Sequence, residues 1–239
     1  MITIVQGKIG DGKSYHCMRL IADHLCSGGV VATNMSISLD RVRRNFARRI
    51  DSRQLIHITA TDSPFEIPRG DLRGRGRRRV LVVLDEALNW FASSAGAKDD
   101  RKATWGEWLR QSDKLGQDVF FIAQNFDRAA KWIRELAQVL ISIANLKNVN
   151  FLHIPIGKFL RLGRVYVASS YDVRAAALLR WQVCVIEKRV FDCYDTSELY
   201  GFPASANAYD DVNVAPPFRL PFWPFVVSLL VPLVGWLFV

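Results

Sequence analysis

Short, mostly apolar runs alternate along this chain with stretches in which apolar residues recur every three or four positions. Ile2-Thr3-Ile4-Val5 is a short run of the first kind, and Met18-Arg19-Leu20-Ile21-Ala22-Asp23-His24-Leu25 has helical spacing. Val30-Val31-Ala32-Thr33-Asn34 predicts a second strand, and the basic stretch Arg41–Arg49 predicts a helix with a thin apolar face. Leu55-Ile56-His57-Ile58-Thr59 alternates like a further strand. Val80-Leu81-Val82-Val83-Leu84 is five apolar residues in a row, the pattern of a strand covered on both faces. A helix over 102–115, carrying Trp105, Trp108, Leu109 and Leu115, leads through Gly116 into the apolar run Val119–Ala123. An amphipathic helix over 127–138 and the strand Val139–Ile143 follow. Strands alternating with helices predict an α/β fold with a mainly parallel sheet flanked by helices.

The pattern then changes. Between 151 and 194 it is rich in β signals, at Phe151–Ile154, Arg164–Val167 and Trp181–Val185, with a helix-like stretch at 172–179. Residues 62–79 read as a loop ending in a glycine-arginine run, a composition that predicts mobility rather than core packing. Residues 201–219, with Gly201, Pro203, Pro216 and Pro217, read as a linker. The uncharged stretch from Leu220 to Val239 has about the length needed to span a bilayer. Trp223 and Trp236 stand where interfacial aromatic anchors belong, and Pro224, Pro232 and Gly235 are tolerated in membrane helices. The predicted organisation is a domain at 1–200, a linker at 201–219 and one transmembrane helix at 220–239.

Charge sharpens the topology more than the chemistry. Lys and Arg number 32 against 23 Asp and Glu, for a formal charge of +9. That balance suits nucleic acid, an anionic membrane surface or plain solubility, and does not choose among them. Every basic residue precedes the apolar tail, so the positive-inside rule places the N-terminal domain in the cytoplasm. Met1 leads straight into the first strand, with no secretory signal pattern. The four cysteines (17, 26, 184, 193) and four histidines (16, 24, 57, 153) show no metal-ligand spacing.

The most specific chemistry lies between the first strand and the first helix. Gly7-Lys8-Ile9-Gly10-Asp11-Gly12-Lys13-Ser14 spells a complete phosphate-binding loop in the strand–loop–helix context that the motif requires. Gly7 and Gly12 allow backbone N–H groups to close on an anion. Lys13 would meet the β- and γ-phosphates of ATP, and Ser14 would offer its hydroxyl to Mg²⁺. Asp85 and Glu86 emerge at the end of the five-residue apolar strand, where open α/β sheets bind ligands. This has the form of a Walker B pair, with Asp85 holding the magnesium shell and Glu86 polarising the attacking water. Gln124 ends the next apolar strand and would stand beside it, able to sense the γ-phosphate or orient water.

GKIGDGKS, LVVLDEA, RQSDKLGQDVFFIAQN, DRAAKWIREL, FDCYDTSELYG and a single late apolar span follow one another in that order. The whole resembles the ATPase region of the zonula occludens toxin (Zot) family, the inner-membrane assembly proteins of filamentous phages. The nucleotide motifs are general; the order ending in Tyr194 and the late span is the specific part. The resemblance implies a P-loop NTPase related to the FtsK/HerA-type motors, assembled as a homo-oligomeric ring in the inner membrane. It further implies ATP-driven extrusion of single-stranded phage DNA, in company with other phage assembly proteins. Family members usually continue into a periplasmic domain, to which the toxin activity is attributed, so that activity is not expected of these residues. A neighbouring subunit would supply an arginine finger, for which Arg101, Arg110, Arg128 and Arg134 are the candidates, Arg110 and Arg134 first.

Two other readings compete. One is a nucleotide-binding switch or kinase with a membrane anchor, although no acceptor pocket or covering segment is evident in the sequence. The other is a non-enzymatic adaptor on a decayed ATPase fold, against which the intact Lys13, Ser14, Asp85 and Glu86 speak. The arginine-rich loop at 69–79 could touch DNA phosphates or simply lie solvated near an anionic membrane.

Overall fold

Each apolar run of the N-terminal half becomes a strand of one sheet. The computed structural model describes residues 1–46, 49–59, 61–71, 79–86, 100–129, 131–148 and 164–194. All of them belong to the first of the chain's two units, Met1–Glu198. The strands are β1 (Ile2–Gln6), β2 (Val31–Thr33), β3 (Leu55–His57), β4 (Val80–Asp85), β5 (Gln117–Ala123), β6 (Val139–Asn145), β7 (Val165–Asp172) and β8 (Ala177–Val185). The helices are α1 (Lys13–Cys26), α2 (Leu39–Phe46), α3 (Asp100–Gln111), α4 (Lys131–Leu136) and α5 (Lys188–Phe191). The sheet runs β3-β2-β4-β5-β1-β6-β7-β8. The first six strands in that order are parallel, and β7 and β8 extend the same sheet antiparallel.

The two-residue pleat sorts the side chains into two cores. Ile2, Ile4, Val80, Val82, Leu84, Val119 and Phe121 face one side, packed with Trp105, Trp108 and Leu109 of α3 and Ile133 of α4. Trp105 and Trp108 meet edge to face at 5.3 Å between ring centres, the arrangement that aromatic quadrupoles favour. Val5, Leu81, Val83 and Ile122 face the other side, with Tyr15, Met18, Ile21 and Leu25 of α1. Asp85 continues the Leu81–Val83 series, so the pleat turns it toward the start of α1. That parity positions the site.

Three expected elements differ. The stretch 172–179 is a hairpin turn and the start of β8, not a helix. Its alanines and leucines favour helix, but Asp172 Oδ1 accepts the backbone N–H of Arg174 and of Ala175, each at 2.8 Å, and forces the turn. The helix over 127–138 is reduced to a 3₁₀ turn, Phe126–Arg128, and the short α4. Gln6 and Asn125 side chains capture the N–H groups of Phe126 and Asp127, each at 2.9 Å. The helix over 102–115 ends at Gln111, before the turn at Gly116, whose φ is 68°.

The part of the 62–79 loop that the structure describes is packed rather than mobile. Ile67 is buried in the core, Gln117 Nε2 donates to Pro68 O at 3.0 Å, and Gly70 N donates to Leu115 O at 2.9 Å. Pro64 is buried as well. Arg79, the last residue of the arginine-rich loop for which DNA phosphates and a solvated surface were both open, pairs with Asp113 at 2.7 Å and Asp118 at 3.1 Å. Residues 72–78, the run Phe151–Ile154, the linker 201–219 and the apolar tail 220–239 lie outside the described residues. Among the described residues no helix is long and apolar enough to cross a membrane.

Candidate nucleotide-binding site

Between the end of β1 and the first turn of α1 the backbone folds back on itself. Gly10 and Gly12 have φ of 82° and 96°, in the left-handed region that a side chain makes costly. Gly7 is demanded by packing instead: a β-carbon there would lie 2.6 Å from the carbonyl oxygen of Ile143 in β6. Asp11 closes the loop from within, its carboxylate accepting Lys8 N–H at 2.9 Å. Ile9 is exposed at the tip.

Lys13 and Ser14 open α1 and point to the same place. Lys13 Nζ donates to the carbonyl of Lys8 at 2.9 Å, and Ser14 Oγ donates to Asp85 Oδ2 at 3.0 Å. Burial pulls the Lys13 pKa below its ordinary value, opposed by the charges of Asp11, Asp85 and Glu86. Burial pushes the Asp85 carboxyl up, opposed by the Ser14 hydrogen bond and by Lys13. Both ions are therefore held partly dry and close together, the state in which a charged ligand gains most from them. Cys17 lies fully buried within their field, its thiol pushed well up by burial.

Glu86 follows Asp85 with φ of 49° and is exposed just past the end of β4. Gln124 is exposed at the end of β5, one residue past Ala123, which stands in register with Gln6. Since β5 lies between β4 and β1, Gln124 emerges between the Asp85–Glu86 end and Gly7. The sheet thus brings the sequence-predicted site residues to the C-terminal ends of the central strands β4, β5 and β1.

The family model described as zonular occludens toxin (Zot) matches residues 1–200. The chain belongs to the zonular occludens toxin family. The gene 1 protein of Escherichia phage If1 is 30% identical over 211 residues, which is 83% of this chain and 59% of that protein. The gene 1 protein of Enterobacteria phage I2-2 is 30% identical over 152 residues, 62% of this chain and 41% of that protein. The chain therefore covers less than two thirds of these relatives' length. The solved N-terminal domain of zonular occludens toxin from Neisseria meningitidis matches with a TM-score of 0.47 and 18% identity, over 81% of this chain and 98% of that one.

In this Zot-family chain, two groups near the site escaped the motif reading. Asn34, just past β2, is buried and bonds to the backbone of Asp85 through both ends of its amide. It obeys the rule that singled out Gln124, a polar residue closing an apolar run, and that signal could have found it. Tyr15 ties α1 to the segment after β8, its hydroxyl accepting Glu187 N–H at 2.8 Å. Tyr194, where the ordered motifs of the resemblance end before the late span, is buried against this region and stacks on Phe191 with ring centres 6.0 Å apart.

Of the candidate finger arginines, Arg110 pairs with Glu107 at 3.5 Å and Arg134 with Asp127 at 3.9 Å. Their helices pack on the sheet face opposite α1. The side chains of Arg101 and Arg128 lie outside the described residues.

Proposed function

We propose that the chain is a P-loop ATPase, anchored in the inner membrane by residues 220–239, that drives assembly and extrusion of filamentous phage. One observation supports the chemistry above all: Ser14 and Asp85, 71 positions apart, share a hydrogen bond beside Lys13 at the mouth of a glycine loop. The residues fit a magnesium nucleotide. Two oxygen donors stand 3.0 Å apart, as suits a hard cation, and Gly10 and Gly12, both at positive φ, add no side chain at their two positions of the loop. Ser14 and Asp85 would hold the cation, which supplies charge neutralisation on the phosphates when bound.

The chain's own groups do the rest. Lys13 exchanges the Lys8 carbonyl for phosphate oxygen, a move its hydrogen bond at the loop prepares. Glu86 receives a proton from the attacking water, and Gln124 orients that water from the neighbouring strand. A ring of identical subunits, single-stranded phage DNA and other phage assembly proteins are the partners this reading carries, on the strength of family membership. A concentration-dependent rise in specific activity would support the ring, and activity unchanged down to a demonstrated monomer would oppose it.

Glu86→Gln tests the reading. The variant should bind Mg-ATP normally and turn it over about 10²-fold more slowly, the contribution typical of a positioned base. Hydrolysis at the parent rate would place the base elsewhere.

A further inference from the structure

We infer that Asn34 is the positioning residue for both carboxylates of the site; the inference rests on the ATPase reading just given. β2 makes its last paired contact at Thr33, opposite Val83 of β4. In a parallel ladder a residue turns its N–H and its C=O toward the same neighbour, so Asp85, two residues on, faces the β2 side with both. No β2 backbone remains there. Beyond Thr33 the chain turns, with Met35 N–H captured by the Thr33 hydroxyl at 3.1 Å. The Asn34 carboxamide takes the missing strand's place: Oδ1 accepts Asp85 N–H and Nδ2 donates to Asp85 O, each at 2.7 Å. The assignment of oxygen and nitrogen is forced, because the first partner can only donate and the second can only accept.

These bonds act where the carboxylates are set. Asp85 O belongs to the peptide unit that leads into Glu86, so the bond from Nδ2 fixes the plane from which Glu86 departs. Glu86 then takes a left-handed conformation, φ 49°, which a non-glycine residue keeps only when its surroundings hold it. On the α1 side, Ser14 fixes the Asp85 carboxylate itself. Asn34 thus sets the aim of Asp85 and Glu86 without touching substrate. At 2% exposure it has no surface role to explain it.

The test compares Asn34→Leu, which keeps the branched shape and removes both bonds, with the parent chain. ATP affinity is measured with and without Mg²⁺, a readout that needs no turnover, and kcat and KM are measured separately. The variant should keep its Mg²⁺-free affinity within about threefold and lose about 10–100-fold of the gain that Mg²⁺ confers, as partners of metal ligands typically do. Its kcat should fall in the same range with KM little changed. Parent-like Mg²⁺ gain and kcat would overturn the inference and leave the ATPase reading standing. So would a matched loss of Mg²⁺-free affinity and thermal stability, which would mark a purely structural residue. A parent that gains affinity from Mg²⁺ but never hydrolyses ATP, with that gain lost in the variant, would sink the ATPase reading alone. Should leucine prevent folding, Asn34→Ser replaces it, with the same losses expected and the same results overturning the inference.

Discussion

His16 sits two residues past Ser14, buried, with its Nδ1 3.1 Å from the Tyr166 hydroxyl. Burial first, and the charge of Arg19 second, lower its pKa from 6.5 to about 4. Above 6.5 both the folded and the unfolded chain carry it neutral; between 6.5 and 4 only the unfolded chain takes up the proton. Stability should therefore fall as pH falls through that window, by up to about 3 kcal/mol from this group. His16→Asn keeps a polar atom near the Nδ1 position and removes the titration. Urea melts should show the parent losing more stability than the variant between pH 6.5 and 4; equal losses would mean that His16 is not held neutral. At this scale the sequence was legible where a motif is spelled contiguously, as from Gly7 to Ser14. Asn34 was legible as a polar residue closing an apolar run, but its partner was not, because that partner is a backbone group 51 positions away that only the strand order brings near.

Strands were easier to read than their connections. The central parallel strands β4 and β5 carry the continuous apolar runs Val80–Leu84 and Val119–Ala123, the pattern of strands covered on both faces. The hairpin at 172–179 and the shortened helix after Asn125 were decided by single side chains capturing backbone N–H groups, which periodicity does not register. The 62–71 segment makes the same point through backbone contact. A β-carbon on Gly70 would lie 2.1 Å from Gly116 O and 2.9 Å from both Arg79 Cα and Val80 N. Those neighbours are backbone and cannot swing aside, so Gly70→Ala should cost about 1–3 kcal/mol in a urea melt. A change below about 0.5 kcal/mol, the usual range for a surface site, would restore the mobile-loop reading.

For the whole molecule, the described fold is that of the first unit, and the proposed anchor depends on composition alone. Deleting residues 220–239 should move the protein from the membrane fraction to the soluble one, since the remaining chain has no comparable uncharged run. Carbonate-resistant membrane association of the deletion variant would refute a single C-terminal anchor. The central claim, that ATP is bound and hydrolysed at the glycine loop, is tested most directly by Lys13→Ala. Among the described residues Lys13 bonds only to the loop's own backbone and is absent from both cores, so its loss should leave the fold and melting temperature close to the parent's. The measurement is ATP turnover by that folded variant beside the parent, free of contaminating ATPase. Turnover reduced to background is the predicted result; steady turnover at the parent rate would contradict the account.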